Sequence, residues 1–462
     1  MTHSAQIEYE MKSVKNSIRP FMKNTYEKGT AYTLAMAVVC LMVYINPSLA
    51  RSAEYSSSSL CRGCHTDIYK QHSESMHEKS FTNPVFQSQY FNELLPQIER
   101  EPDLRIEAEA CTACHSPIAY LKLRKHITSK EQVNPRMSGV TCDICHTITG
   151  YTGKRPGNGN FISKPSDIKL GPFKTNSNWH RAYSELHTKS EFCAICHNAT
   201  NRHGLEIKST YTEWKNSRYA EEGIQCQDCH MNVEGFLMAG KPAYEAGKAA
   251  YMTVGKAPYR EKLYTHHFPG AHSRTQVASA LTINIETEKS VFAPGDEIII
   301  RILVDNSKTG HKMPSGSADL RLLWIDINAY AGDRIIPVTA EPALESQYDV
   351  TGRGVFDQEI LGDDIQRGKR IYRAIFVDNA GKQTLSSYNA TKIIFDNRLN
   401  AAEIRKETFR FKIPEGFEGT LSLTAAMKYL PYPGSFAKRL GLPKPEAVEV
   451  AVSKKDIRIQ KP

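Results

Sequence analysis

The stretch SEFCAICHN, Ser190–Asn198, places Cys193 and Cys196 three residues apart, with His197 directly behind the second cysteine. On a helical turn, positions i, i+3 and i+4 share one face, with Cβ atoms about 5–6 Å apart. The same unit occurs as CRGCH (Cys61, Cys64, His65), CTACH (Cys111, Cys114, His115), CDICH (Cys142, Cys145, His146) and CQDCH (Cys226, Cys229, His230). The five copies use ten of the chain's eleven cysteines, so thiol chemistry here is almost wholly a matter of this unit.

Two thiols on one face of a turn can each add to a vinyl group of one porphyrin, and the histidine behind them can bind the iron. This is the signature of c-type haem attachment. The chain is therefore expected to carry five covalently bound haem c groups. The ten cysteines would attach them, and His65, His115, His146, His197 and His230 would be the proximal iron ligands. Structural zinc and disulfides are the competing readings. Zinc wants four ligands, often as two paired half-sites, and five equal units do not pair. Disulfides would need no histidine at all.

The chain has 462 residues, enough for two or three domains. One apolar run, Ala31–Ile45, follows Lys12, Lys15, Arg19, Lys23 and Lys28 and precedes NPSLA, in which Ser48 and Ala50 suit a small-x-small cleavage site. Residues 1–50 read as a secretory signal, or else as an uncleaved membrane anchor through 31–45, a run short of the ~20 residues of a full span. Either way the bulk is exported, to the periplasm, the cell surface or the extracellular space. The formal charge of +9 might point to nucleic acid. Residues 1–50 hold five Lys/Arg and three Asp/Glu, so removing them leaves +7. Two propionates per haem would roughly cancel that excess, so nucleic acid is not expected as a partner.

Residues 51–275 carry every motif. From Cys61 to His230 the chain spends 170 residues on five motifs, 34 for each. So little chain cannot build a separate core around each porphyrin, and the macrocycles themselves must supply much of the interior. Short helices and long loops are expected, including Thr152–Pro172 as loop. From about residue 276 the pattern changes to period-two alternation in Leu281–Ile285, Glu297–Val304, Arg321–Tyr330, Phe409–Ile413, Thr420–Ala425 and Val448–Val452. This predicts an all-β, antiparallel, immunoglobulin-like sandwich over 276–462. The fold class is thus multidomain: a mainly α or irregular haem-packed domain, then the sandwich.

Iron has a second axial position. Outside the motifs and the leader, ten histidines remain: His72, His77, His126, His180, His187, His203, His266, His267, His272 and His311. His180 and His187 are seven apart, two turns of one helical face. One of the adjacent His266 and His267 is placed for ligation. His311 sits in DNSKTGHKMPSG at the end of a strand, where Gly310 and Pro314 can turn an imidazole out of the β domain toward the haems. Its competing reading is a hairpin histidine in solvent. Met76, Met231 and Met313 are alternative ligands.

Several segments resemble multihaem cytochromes of the cytochrome c-554 type, and in particular members with an appended C-terminal β domain. They are GVTCDICHTITG, SELHTKSEFCAICHN, STYTEWKNSRYAEEGIQCQDCHM and NSKTGHKMPSG. The resemblance covers roughly residues 57–320 well and the remainder loosely. It implies closely packed haem pairs, electron transfer, and His77, His180, His187, His267 and His311 as distal ligands. Its small prototype carries four haems. The expected activity is electron carriage between redox partner proteins, among them other multihaem cytochromes or a membrane complex, rather than enzymatic catalysis. Two alternatives stand. One is an oxidoreductase with one open haem acting on a small nitrogen or sulfur compound, although no CxxCK motif occurs. The other is a subunit of a homo-oligomer, cytochrome filament or membrane redox complex.

Overall fold

Short helices carry the first half of the chain. The computed structural model describes residues 54–124, 127–174, 182–232, 237–238, 241–242, 244–251, 257–278, 280–341 and 346–461. The apolar run 31–45, His126 and His180 lie outside these. Helices α1 (Ser58–Cys61), α2 (Thr66–Glu74), α3 (Arg105–His115), α4 (Cys142–Cys145), α5 (Ser190–His197), α6 (Thr210–Lys215), α7 (Arg218–Glu221) and α8 (Cys226–His230) set out the motifs. Three motifs fill the last turn of a helix, so that α3, α5 and α8 each end on the motif histidine. The remaining two differ. His146 caps α4, and the first motif spans the turn between α1 and α2.

Local chemistry explains several of these boundaries. Thr141 caps α4 by accepting from the Ile144 N–H at 3.4 Å. Asp228 reaches back to the Gln225 N–H at 2.8 Å and closes a capping box on α8. Two glycines are required by close approach as well as by a left-handed backbone. Gly139 (φ 72°) lies against the Glu78 carbonyl, and a Cβ on Gly159 (φ 68°) would stand 2.6 Å from Ala113 Cβ on α3.

Two expectations for this half are corrected. Residues 152–172 are not all loop, because Phe161–Ser163 pairs with Ile148–Tyr151 as a hairpin, and Leu170–Gly171 pairs in parallel with Ala182–Tyr183. That second pairing also breaks the helix expected between His180 and His187. Ala182–Tyr183 is extended, and His187 sits on a separate 3-10 turn, Glu185–Thr188. A seven-residue spacing matches a helical period, but the pairing with Leu170–Gly171 holds Ala182–Tyr183 extended.

The second half is β. Its strands are β1 (Thr282–Thr287), β2 (Val291–Phe292), β3 (Glu297–Asp305), β4 (Leu322–Ala331), β5 (Arg334–Pro337), β6 (Thr339–Ala340), β7 (Arg370–Tyr372), β8 (Ala374–Val377), β9 (Lys392–Asp396), β10 (Ile404–Lys412), β11 (Gly419–Leu430) and β12 (Val448–Ile459). One sheet runs β1-β3-β10-β6, and a second runs β2-β12-β11-β4-β5 with β7 also on β4. A separate ribbon pairs β8 with β9. Pairing within the two sheets is antiparallel except where β2 lies parallel to β12, a departure from the antiparallel expectation. All six runs with period-two alternation coincide with strands, with Leu281, Arg321 and Ile413 one residue outside them. Along β3, Ile298, Ile300, Ile302 and Val304 are wholly buried while the residues between them are not. They meet Leu323, Ile325, Leu421 and Leu423 from the other sheet in one apolar core. Each such isoleucine or leucine contributes about 1.5–3 kcal/mol. Residues 55–462 form one compact unit, and Val277, just before β1, already belongs to the β core.

Candidate haem sites

All ten motif cysteines and all five motif histidines line one continuous cavity of about 2380 Å³. An ordinary ligand pocket holds about 300–1,000 Å³. A space of this size, lined by the motif helices, calls for large apolar occupants. Among the described residues no disulfide forms, and the ten thiols are free. Thiols of different motifs approach one another instead. Cys61 is within hydrogen-bonding reach of Cys142, Cys193 of Cys226, and Cys196 of Cys114. The five motifs therefore surround shared space rather than five separate pockets. Ser190 ties two of them together: its hydroxyl donates to Gln225 Oε1 at 2.9 Å and accepts from the Cys226 N–H at 3.0 Å.

The imidazoles come in facing pairs. Ring centres of His77 and His197 are 6.1 Å apart, those of His230 and His311 are 6.3 Å, and those of His146 and His266 are 6.4 Å. Two metal–nitrogen bonds of about 2 Å, plus the half-width of each ring, add to roughly 6 Å. His187 also lies near His146, with centres 5.9 Å apart. Backbone carbonyls orient several of these rings. Nδ1 meets a carbonyl oxygen in His65 (Ala249, 2.7 Å), His115 (Ser80, 2.9 Å), His146 (Leu170, 2.6 Å), His266 (Tyr264, 3.0 Å) and His311 (Lys312, 2.8 Å). A carbonyl only accepts, so Nδ1 carries the proton and Nε2 keeps its lone pair. His187 is reversed. Its Nε2 lies 3.0 Å from the Cys145 carbonyl, and its buried Nδ1 has no hydrogen-bond partner.

Burial favours the neutral form of several of the imidazoles and thiols. It pushes His77 down to about 3, with His197 adding to the effect, and His266 down to about 3, with His146 adding. Burial likewise pushes His115, His187 and His230 down to about 4. The thiols of Cys111, Cys145 and Cys229 are pushed up to about 12, again first by burial. Neutral imidazole is the form that binds metal.

The residues fit haem. Among the described residues no group of three or more His, Cys, Asp or Glu converges on a point, as a bare metal ion would need. Paired imidazoles are the donor set that remains when a porphyrin supplies the other four nitrogens. The orphaned Nδ1 of His187 is a further unspent donor in the same cavity.

Of the distal candidates, His77, His187 and His311 line the cavity. His180 lies outside the described residues. His267 does not line the cavity, whereas its neighbour His266 does. In extended chain, adjacent side chains point to opposite sides, so one of such a pair faces in, and the sequence alone does not say which. His272 also lines the cavity, and burial lowers its pKa. His72 also lines the cavity, but its Nε2 lies 2.9 Å from the Val140 carbonyl and its Nδ1 3.4 Å from Glu78.

Thiol pairs followed by histidine, gathered around one cavity with facing imidazoles, define a multihaem c-type cytochrome. Residues 60–147 match the family described as cytochrome c554 and c-prime. That match, together with the five thiol–histidine motifs, supports a multihaem c-type cytochrome with a β-rich C-terminal region. The chain's fold is similar to the crystal structure of a penta-heme cytochrome c552 from Thermochromatium tepidum. The TM-score is 0.60 at 20% identity, over 87% of this chain and 99% of that one. Two other similarities are too slight to carry weight. Spo0M of Bacillus subtilis has a TM-score of 0.17 and 12% identity, over 39% of this chain and 50% of that one. The human F-spondin reeler domain has 0.19 and 8%, over 40% and 89%. No curated protein sequence matches the chain. No described helix is long and apolar enough to cross a membrane.

Proposed function

We propose that this chain carries single electrons between redox partner proteins through five covalently bound haem c groups, most of them held between two histidines. The observation that carries the reading is the set of facing imidazoles at 6.1–6.4 Å around a cavity into which all five motifs open. Bound haem iron supplies reversible one-electron chemistry, tuned by axial ligand, burial and nearby charge. The chain's part is to fix and tune. The ten motif cysteines anchor the groups, and the five motif histidines ligate from one side. His77 serves opposite His197, His311 opposite His230, and His266 beside His146. His187 offers its Nδ1. His180 and His267 stay in the proposal only through the resemblance to c-554-type cytochromes. Two histidines on an iron leave no position for substrate, which favours carriage over catalysis.

In this reading, residues 51–275 form the haem domain and 276–462 an immunoglobulin-like sandwich, supported by two sheets that share one core. Residues 1–50 direct export or anchor the chain, and partners are other redox proteins met outside the cytoplasm. Intact mass of the mature protein from a host competent in c-type maturation tests the proposal. Five haem additions with the leader absent is the expected result, and a mass with no haem ends it.

One observation favours a second reading. The ring packed on His115 is Phe86, stacked at 4.2 Å and 12°, and among the described residues no second imidazole faces it. An open iron at that motif would make the protein an oxidoreductase for a small nitrogen or sulfur compound. Carbon monoxide added to the reduced protein distinguishes the two. A haem spectrum that does not change excludes the open site.

A further inference from the structure

His311 belongs to the β half of the chain, yet its ring faces His230 of the last motif, with ring planes only 10° apart. The loop that carries it, between β3 and β4, is fixed from both sides. From the β side, the fully buried Asn306 donates from its amide to the His311 carbonyl at 3.2 Å and to the Asn400 carbonyl at 2.7 Å. The Thr309 hydroxyl donates to the same His311 carbonyl at 3.0 Å. Met313 and Leu399 exchange backbone hydrogen bonds of 2.8 and 3.0 Å.

From the haem side the loop meets a single carboxylate. Glu213 on α6 accepts the Lys312 N–H at 3.2 Å and the Ser315 hydroxyl at 2.6 Å through Oε2. Its Oε1 accepts from Arg398 Nη1 at 2.8 Å and from the Ser209 hydroxyl at 2.8 Å. Arg398, just past β9, grips both oxygens of Asp396 at 2.9 Å and donates to the Pro314 carbonyl at 3.2 Å. The Arg398 and Glu213 side chains are only 4% and 5% exposed, so this ion pair is held in the interior. The loop also lies flat on α6 and α7: a Cβ on Gly310 would stand 3.4 Å from Trp214 and 3.6 Å from Tyr219. Glu213 and Arg398 thus hold Lys312, Pro314 and Ser315, the residues that follow His311, from opposite halves of the chain.

We propose that Glu213 and Arg398 are positioning residues that form a buried latch, fixing the His311 imidazole opposite His230, so that the coordination of one haem is set jointly by the two halves of the protein. The inference rests on the reading above that His311 ligates the iron bound by His230. A carboxylate and a guanidinium suit the task because the rigid fork of the arginine reaches three acceptor groups at once, Asp396, Glu213 and the Pro314 carbonyl. The ring itself is oriented by the carbonyl of the next residue, Lys312, and Glu213 holds the N–H of that same residue. Displacing Lys312 moves the imidazole with it.

The test uses the full-length holoprotein with haem attached and counts low-spin haems by electron paramagnetic resonance. Carbon monoxide binding after reduction and a redox titration complete the measurement. His311→Ala is expected to convert one haem of the five to a high-spin, carbon monoxide-binding form. Glu213→Gln and Arg398→Lys are expected to convert part of that same haem and to shift its midpoint potential, and to add nothing in the His311→Ala background. Ser315→Ala removes one bond to Glu213 while leaving the ion pair, and is expected to give a smaller change in the same direction. It decides the matter if Glu213→Gln does not yield a folded holoprotein. If His311→Ala alters one haem but the latch variants change only thermal stability, the latch is overturned and the ligand assignment stands. If His311→Ala leaves every haem low-spin, the ligand assignment falls and the latch with it.

Discussion

β3 and α5 show how differently the two halves of this chain make an interior. On β3 every second side chain is an aliphatic residue with no solvent exposure, and the facing sheet returns the same pattern through Leu421 and Leu423. That half is held by its own side chains. On α5, Ala194 and Ile195 are buried, but Cys193, Cys196 and His197 open onto a cavity of about 2380 Å³. The apolar cluster of the haem half, around Tyr90, Leu94, Leu104 and Ile118, lies beside that cavity rather than filling it. One half thus supplies its core from its sequence, and the other, in the function proposed above, supplies walls for a core added by covalent attachment. The contrast teaches that short helices and sparse aliphatic residues are no sign of a weak domain when thiol–histidine units recur every few tens of residues.

The contrast can be broken outright by withholding haem. Made in cells unable to attach c-type haem, the chain is expected to lose ordered structure over 55–275 while the β half persists. Limited proteolysis should then leave a resistant fragment beginning near residue 276–282, and uniform digestion of both halves would refute the contrast. Next in size is the junction. Arg398→Ala strands the buried Glu213 carboxylate, and removing one partner of a buried pair costs about 3–5 kcal/mol. Burial alone would raise the Glu213 pKa, but the Arg398 guanidinium and the Ser315 hydroxyl outweigh it and hold the group below its ordinary value. Chemical denaturation of holoprotein, followed by tryptophan fluorescence, measures the loss.

A smaller change sharpens the comparison within the β half. Ile302→Val removes one methylene from a fully buried position and should cost about 0.5–1.5 kcal/mol in urea unfolding, with the haem absorption bands unmoved. The smallest effect is confined to acid. Burial would raise the Asp326 pKa, but Lys369 and Lys428 at 2.6 Å lower it overall. Its contribution to stability is therefore present above the unfolded value of about 3.9 and is lost as pH falls through the depressed folded value. Asp326→Asn should flatten the acid limb of the stability curve by less than one proton, under about 1.4 kcal/mol per pH unit. An unchanged limb would show that the ion pair contributes nothing to acid sensitivity.

Much of this was legible before any fold was known. The attachment residues are local, since five residues in a row carry the whole signal, and period-two alternation marked the long strands β3, β4, β10, β11 and β12. The short strands β7, β8 and β9 were missed because ladders of three to five residues are held by neighbours rather than by a pattern of their own. The three-residue strand Phe161–Ser163 carries no pattern of its own for the same reason. Spacing also misled at His180 and His187, where a seven-residue interval matched a helical period in a segment that pairs as strand.

The sequence by itself determined the haem chemistry, because two thioether links and a proximal ligand need only one turn of chain. It determined the alternating strands as well, because their period is written residue by residue. Only the tertiary structure decided which of His266 and His267 faces inward, that His187 presents Nδ1, and that His311 meets His230 under the hold of Glu213 and Arg398. These are relations between residues tens to hundreds of positions apart. Their geometry depends on how walls close around a shared space, and no local spacing encodes that.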